Sequence, residues 1–460
     1  MRDFGGLELA PQVSASLPAW EEAASNLRRS PAAVHVLRHS VLTGRPAVQP
    51  RCGVGGHDAM LGLLHTLARS GPSMLSLTID SHTRLRQFER AARTLAEHPG
   101  DLNGYPLVAH GWQRGRELVT ASPVPLEVRH GSPDARDLFA VALASGITSF
   151  EGGGIGYNLP YSKNVSLNDS LLAWNQVDAT CGVLAEAGVV IDRELFGTLT
   201  AVLVPPSISV AVTVLEGVLA ARAGVRCLSP AYPQGGEAHQ DVAALRALAA
   251  MTRRYVGPDV EIFPVLHEFM GAFPRGSAFA DGLILQGGLV ARLGGAAKVI
   301  NKTHQEAFGL PDAEANMRGI RTAAIGASDL FEFVAMDADR IAEEQHWIER
   351  EVAELVEPIL GVEDLAGEVA TAFAEGRLDI PFSASVYARS AIVPRRDAAG
   401  AIRYAETGSL PFSAATVRHN SERLASVSGG SLIEAVTEDI YYFLRKEGTQ
   451  SLEESDDRRY

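Results

Sequence analysis

Cysteine is nearly absent. Cys52, Cys181 and Cys227 are the only three in 460 residues, and they stand far apart. That spacing argues against a disulfide framework and a paired-cysteine zinc site, and a reducing cytoplasm is the expected setting. The three thiols read as small buried apolar residues. Metal motifs are missing as well: no H-E-x-x-H, no C-x-x-C pair and no acidic calcium loop occurs, so no metal is expected. There is no G-x-S-x-G elbow. No apolar stretch is long and charge-free enough to span a bilayer, and the opening MRDFGGLELAPQVS has no signal-like apolar core. Basic charge is in deficit. Lysine and arginine number 41 against 55 acidic residues, a formal net charge of −14, which repels phosphate backbones and anionic lipid. Neither nucleic acid nor a membrane is an expected partner. An anionic ligand has to be drawn in by a local cluster of arginines.

What is present is an ordinary globular composition with a repeating rhythm. Residues 1–45 read as a helical extension ending in a turn at Leu42-Thr43-Gly44. From there, short apolar runs that end on a polar residue alternate with amphipathic stretches. The expected strands are Ala47–Arg51, Met74–Asp80, Leu126–His130, Ile147–Glu151, Ala201–Val204, Val225–Ser229, Glu261–His267 and Lys298–Lys302. Leu107–His110 lies between Gly104 and Gly111 and reads as a loop. Ser207–Ala223, Asp241–Tyr255 (with Asp241 as its cap) and Ala313–Val334 carry helical spacing. Strand–helix alternation implies a parallel sheet. An open doubly wound sheet gives the same alternation, but eight strands over this length favour a (β/α)8 TIM barrel over residues 46–335. The character changes after Met336: a charged helical stretch, then turns at Ile380-Pro381-Phe382 and Leu410-Pro411-Phe412, then a helical end. Residues 336–460 are expected to form a helical linker and an appended α+β C-terminal domain. The class is α/β.

In such a barrel the chemistry gathers where strands end at their C-termini. That rule selects Arg51, Asp80 with Arg84 beyond it, Arg129, Glu151, His267 and Lys302. Any one arginine is more readily explained by a helix end or a surface pair. Three on three strand ends would present three planar forks, enough to grip both carboxylates of a small diacid. Glu151 opens the run Glu151-Gly152-Gly153-Gly154-Ile155-Gly156-Tyr157-Asn158-Leu159-Pro160-Tyr161. A carboxylate there can accept hydrogen bonds from an ammonium or take its proton, and the glycines let backbone approach a ligand closely. The same run is also a plausible plain turn. It lacks the Lys-Ser/Thr pair of a phosphate loop. Taken singly, Tyr157 and Tyr161 read as packing, Lys302 with Glu306 as a helix-surface pair, and His267 as a satisfied core histidine.

These residues also carry a resemblance. Gln49-Pro50-Arg51, Thr78-Ile79-Asp80 with Thr83-Arg84, Leu102-Asn103-Gly104, Arg129-His130-Gly131 and Glu151 through Lys163 are similar to the large-subunit family of coenzyme-B12-dependent glutamate mutase. So are Leu203–Ser207, Phe269-Met270-Gly271, Lys302-Thr303 with Glu306-Ala307, and Asp379–Phe382. The resemblance runs from about Pro50 to about Phe412. It implies the barrel, a separate small subunit that carries adenosylcobalamin, and an assembly with two copies of each. It implies a radical rearrangement interconverting L-glutamate and L-threo-3-methylaspartate. By the same resemblance Arg51, Arg84 and Arg129 grip the substrate carboxylates and Glu151 meets its amino group as the catalytic residue. Tyr157 and Tyr161 contact substrate, and Lys302 and Glu306 contact the adenosyl ribose. Thr78, Asn103, Phe196, Lys298 and Met270 line the substrate or cofactor pocket. Cobalamin-binding domains use D-x-H-x-x-G; here Asp80-Ser81-His82 begins that pattern but Leu85 stands where glycine is needed, so the cobalamin domain is expected on a partner. The alternatives are a paralogous subunit with an altered substrate and a non-catalytic barrel partner. The intact arginines speak against the first, and Glu151 with Lys302 and Glu306 against the second.

Overall fold

Nine short strands alternate with helices in the computed structural model, which describes residues 4–197, 199–309, 311–427 and 431–447. They are β1 (Ala47–Pro50), β2 (Leu75–Thr78), β3 (Leu126–Arg129), β4 (Ser149–Glu151), β5 (Asp192–Leu195), β6 (Cys227–Pro233), β7 (Glu261–Ile262), β8 (Val265–His267) and β9 (Lys298–Asn301). The strand order is β1-β9-β8-β6-β5-β4-β3-β2, with β7 beside β6, and every pairing in this sheet is parallel. β7 and β8 are two halves of one stave, broken at Phe263-Pro264, where proline has no N–H to give the ladder. Between β1 and β2 the ring closes by single bonds: Ser73 N donates to Val48 O at 3.0 Å and Thr78 N to Cys52 O at 2.8 Å. The architecture is a (β/α)8 barrel.

Two expectations fail. The fifth strand is Asp192–Leu195, not Ala201–Val204. Thr200, Ala201 and Leu203 have positive φ (38°, 72° and 49°), so that short apolar run is a tight turn feeding the helix Pro206–Arg222. The true strand escapes notice because three of its four residues are charged, and all four are buried in the barrel wall. Leu107–His110 is not a loop but the start of the helix Leu107–Ala121, which kinks at Gly111 (φ 79°). A smaller shift concerns Asp241. The helix runs Ala238–Val256 with Glu237 as its cap, and Asp241 reaches back to accept from Gly235 N (2.6 Å) and Gly236 N (2.9 Å).

The N-terminal extension is helical, with Pro11–Ser16, Trp20–Leu27 and Ala33–Thr43. The last of these closes the bottom of the barrel. Val34 and Leu37 pack with Cys227, Phe263 and Ala297, which sit at or beside strand starts. Ser40 Oγ donates to Ala297 O at 2.5 Å. After the barrel, the helix Ala338–Leu360 packs on the helices Pro206–Arg222 and Ala238–Val256, and the helix Leu365–Glu375 packs on the helix Leu167–Glu186. An antiparallel hairpin, β10 (Val393–Arg396) and β11 (Ile402–Glu406), and short helices follow. Ile341, Val352, Phe373, Tyr404 and Phe443 belong to the same apolar cluster as the barrel core. Apolar burial therefore ties the C-terminal segment to the barrel flank.

Candidate active site

The barrel interior is lined by charge. β3 and β5 both alternate so that charged residues point inward: Glu127 and Arg129 from β3, Asp192 and Glu194 from β5. Lys298, at the start of β9, is fully buried among them. It is bonded to Glu127 and lies 2.6 Å from Glu194 and 4.0 Å from Asp192. Above this floor Arg129 Nη1 lies 2.6 Å from Glu127 and 3.1 Å from Glu194, while its Nη2 pairs with Glu151. His267 Nε2 lies 2.8 Å from Glu194 and 3.3 Å from Arg129. Donor atoms of Glu151, Glu194 and His267 lie within 4.8 Å of one another, a metal-like spacing, but the Arg129 guanidinium already supplies positive charge to both carboxylates.

Glu151 ends β4, and its second oxygen accepts from the Tyr157 hydroxyl. Gly152 follows with φ 124°, a conformation that strains any other residue. The chain then folds into consecutive turns, with Tyr157 N donating to Gly153 O (3.1 Å) and Leu159 N to Ile155 O (3.1 Å). These turns bring Tyr157 back over Glu151. From outside the barrel wall, Arg193 donates to Phe150 O (2.5 Å) and Gly152 O (2.9 Å), and Glu216 accepts from Ile155 N (2.7 Å) and Gly156 N (2.9 Å). The far end of the run rests on the C-terminal segment: Ser383 Oγ donates to Leu159 O and Val386 N to Lys163 O. Asp379 holds that prop by accepting from Ser390 N (2.8 Å) and Ala391 N (2.7 Å).

Around the mouth, Tyr157 packs on Phe196 (centroids 4.9 Å apart), Phe196 on His267 (5.5 Å), and Tyr161 on Phe196 (6.0 Å). Tyr161 is half exposed, at 48%. Arg51 is exposed past β1, and its charge is felt at His267 and Lys302. Arg84 packs against Gly131 just past β3, and its charge reaches His130. Lys302 Nζ is 3.0 Å from Glu306, and Lys302 N donates to Glu268 at 2.6 Å. Thr78 closes β2 with a buried hydroxyl that has no partner. Asn103 accepts from Ser81 N at 2.9 Å, next to Asp80, whose carboxylate caps the short helix Ser81–Arg84. Met270 is half-buried in the loop after β8. Arg51, Arg84, Arg129, Glu151, Tyr157, Tyr161, Phe196 and Lys302 therefore share one end of the barrel, whereas Lys298 lies among the floor acids. Glu127, Asp192, Glu194, Glu268 and the supporting Arg193 and Glu216 were not foreseen. A strand of mostly charged residues with no apolar period was the signal available for Asp192 and Glu194.

A family model described as methylaspartate mutase E chain matches residues 29–439. The chain belongs to that family. Similar curated proteins are the glutamate mutase epsilon subunit of Haloarcula marismortui, 44% identical over 80% of this chain and 76% of that protein, and that of Halobacterium salinarum, 43% identical over 84% and 83%. The same-named subunit of Desulfitobacterium hafniense is 41% identical over 87% of this chain and 85% of its own length.

In this member of the methylaspartate mutase E chain family the charged interior has a clear electrostatic logic. Burial raises Glu151 to about 8, against the pull of Arg129 and with added push from Glu194 and Glu127. Burial would raise Glu194 too, but Lys298, Arg129 and His267 outweigh it and hold it well below the ordinary carboxylate value. Burial lowers His267 to about 4 and His130 to about 3, so both imidazoles are neutral at neutral pH. Glu194 thus remains an anion that anchors Arg129 and Lys298, while Glu151 can hold or release a proton near neutrality. Groups this close titrate together. Pairs of acids driven apart in this way mark proton-handling sites.

Proposed function

We propose that the chain is the substrate-binding catalytic subunit of a glutamate mutase that interconverts L-glutamate and L-threo-3-methylaspartate. One observation carries this reading. Glu151, raised to about 8, is held between Arg129 and Tyr157 at a mouth that also bears Arg51 and Arg84. Arg51 and Arg84 offer planar forks to the two carboxylates. Arg129 keeps a buried Nε without a partner, one further donor for an oxygen anion. Glu151 receives the substrate ammonium and, when that nitrogen sheds a proton, takes it. Tyr157 and Tyr161 orient the ligand, and Phe196 helps exclude water from the mouth. Fixing both ends of the substrate keeps its fragments aligned while the carbon skeleton breaks and rejoins.

The cofactor in this reading is adenosylcobalamin, which when bound supplies the hydrogen-atom abstraction that starts a radical rearrangement. The residues present suit a cofactor presented from outside the chain. Asp80, in the one D-x-H start, is committed to capping a helix, whereas Lys302 and Glu306 form a donor–acceptor pair suited to a ribose diol. Thr78, with its unpartnered hydroxyl, and Asn103 and Met270 in neighbouring loops lie around the same end. The partner is a small cobalamin-binding subunit, in an assembly of two copies each. No helix among the described residues is long and apolar enough to cross a membrane. We place the enzyme in the cytoplasm, where its three buried free thiols stay reduced.

The test is direct. The purified chain, mixed with a small cobalamin-binding subunit and adenosylcobalamin, is expected to convert L-glutamate to methylaspartate, followed by proton NMR. No product from a complex that forms would favour an altered substrate, and no complex would favour a non-catalytic role.

A further inference from the structure

Lys302 is the first residue past β9, and side chains hold its main chain on both sides. Its N–H donates to Glu268 Oε2 at 2.6 Å, and its carbonyl accepts from Asn301 Nδ2 at 3.1 Å. Glu268 is the first residue past β8, and its own N–H donates to Ile300 O at 3.1 Å, which ties the two strand ends together. Both Glu268 and Asn301 are buried. The helices behind them make room with glycine. In the helix Ser277–Leu293, a Cβ at Gly287 would stand 2.6 Å from Glu268 Cγ. In the helix Ala313–Gly326, a Cβ at Gly319 would come under 3.0 Å from Lys302 O. Glycine inside a helix is unfavourable relative to alanine, and a buried acid is costly. An alanine facing a leucine would pack the seam without either cost, so the acid is there for the bond it accepts. That bond fixes the point from which the lysine side chain starts. The rest of the loop is braced as well. Glu306 N donates to Thr303 O at 3.2 Å, while Gln305 accepts from Asp312 N at 2.9 Å and donates to Asp312 Oδ2 at 3.0 Å.

We propose that Glu268 and Asn301 are positioning residues that fix the Lys302 main chain, so that the Lys302–Glu306 pair is held ready for the diol of the adenosyl ribose. The inference rests on the assignment of that pair to the ribose. A lysine side chain has many rotamers, so its ammonium is placed reproducibly only when its Cα and its acidic partner are both fixed. Here Lys302 Nζ meets Glu306 at 3.0 Å from a main chain that cannot slide. The clamp does not depend on charge. Burial raises the Glu268 carboxyl well above its ordinary value, against the Lys302 N–H and the Lys302 charge and with a push from Glu306. The neutral acid is therefore favoured, and it serves as a hydrogen-bond acceptor of fixed shape, which an amide can copy.

The test compares Glu268→Gln, which keeps the acceptor, with Glu268→Met, which keeps the length and loses the acceptor. Each full chain is assembled with a small cobalamin-binding subunit and titrated by calorimetry with adenosylcobalamin and with methylcobalamin, which lacks the adenosyl ribose. The parent is expected to bind adenosylcobalamin more tightly than methylcobalamin. Glu268→Met should weaken adenosylcobalamin by about tenfold, the range of one hydrogen bond to a charged group, and leave methylcobalamin unchanged. Glu268→Gln should restore the parent's preference. Should Glu268→Met fold poorly, Asn301→Ala decides the matter: it frees the carbonyl of Lys302 and should shift the same ratio in the same direction. Equal weakening of both cobalamins, an unchanged ratio in Glu268→Met or in Asn301→Ala, or a Glu268→Gln variant no better than Glu268→Met would each overturn the proposal. A parent that binds the two cobalamins alike would overturn the ribose assignment itself, and the proposal with it, so the two failures read differently.

Discussion

Glu151 is acted on by opposing forces: burial and its acidic neighbours favour the neutral acid, and Arg129 favours the anion. Its accepting form is the carboxylate, and its value is raised to about 8. Hence kcat/KM for L-glutamate should climb with pH and level off above about 8, once the proton has left. Glu151→Gln should lose that limb and reduce kcat by about 10²–10⁴-fold. A variant that keeps both turnover and pH profile would remove Glu151 from the chemistry. The mouth arginines predict a different signature. Arg51→Lys and Arg84→Lys keep the charge but lose the planar fork, so each should raise KM by roughly tenfold or more and change kcat less. Steady-state kinetics separate the two patterns. Both arginines and Glu151 were legible in the sequence because a short apolar run marks where a strand ends. Glu194 and Glu127 were not, because an acid inside a barrel breaks the apolar period, and only its partners explain its burial.

The glycine run behaves as an element whose positions differ. A Cβ at Gly153 would come under 3.0 Å from the Glu216 carboxylate, itself held by two backbone bonds. A Cβ at Gly156 would meet its nearest neighbours at 3.6 Å, ordinary contact. Gly153→Ala is therefore expected to cost about 1–3 kcal/mol of stability in urea unfolding and to depress activity by displacing Tyr157. Gly156→Ala should cost clearly less in the same measurement. Equal effects would mean that Glu216 does not buttress the run. At this scale the sequence located most strands but misassigned the fifth. Ala201–Val204 has the composition of a strand and the backbone of a turn, while Asp192–Leu195 has the composition of a surface and the position of a wall.

Across the whole molecule, the C-terminal segment is joined to the barrel through a buried acid. Glu351 accepts from Ser207 Oγ (2.6 Å) on a barrel helix and from Asn420 Nδ2 (2.8 Å) on the helix Ala414–Leu424. Burial raises it to about 7, above its ordinary value of 4.5. A raised acid favours the folded state fully below its unfolded value, and that contribution is lost as pH rises through the folded one. The intact chain should thus lose stability from this group between about pH 5 and 8, by up to roughly 3 kcal/mol. Glu351→Gln cannot ionise, so its melting temperature relative to the parent should improve steadily over that window. A constant difference would assign Glu351 no proton linkage.

By itself the sequence determined the parallel α/β alternation, Arg51 and Arg129 at strand ends and the glycine run after Glu151, whereas Arg84 lies in the short helix beyond β2. Each of these is local: a strand end, a turn and a fork-shaped side chain are written in adjacent residues. Only the tertiary structure decided that Arg129 is shared among three carboxylates, that Lys298 lies beneath them, and that Glu216 and Arg193 grip the run from outside the barrel. Apart from Arg129 with Glu127 on the same strand, those pairings join residues 22 to 171 positions apart. The reason is physical. A charge in the interior is tolerable only with its partner in place, and closure of the barrel is what brings the partners together.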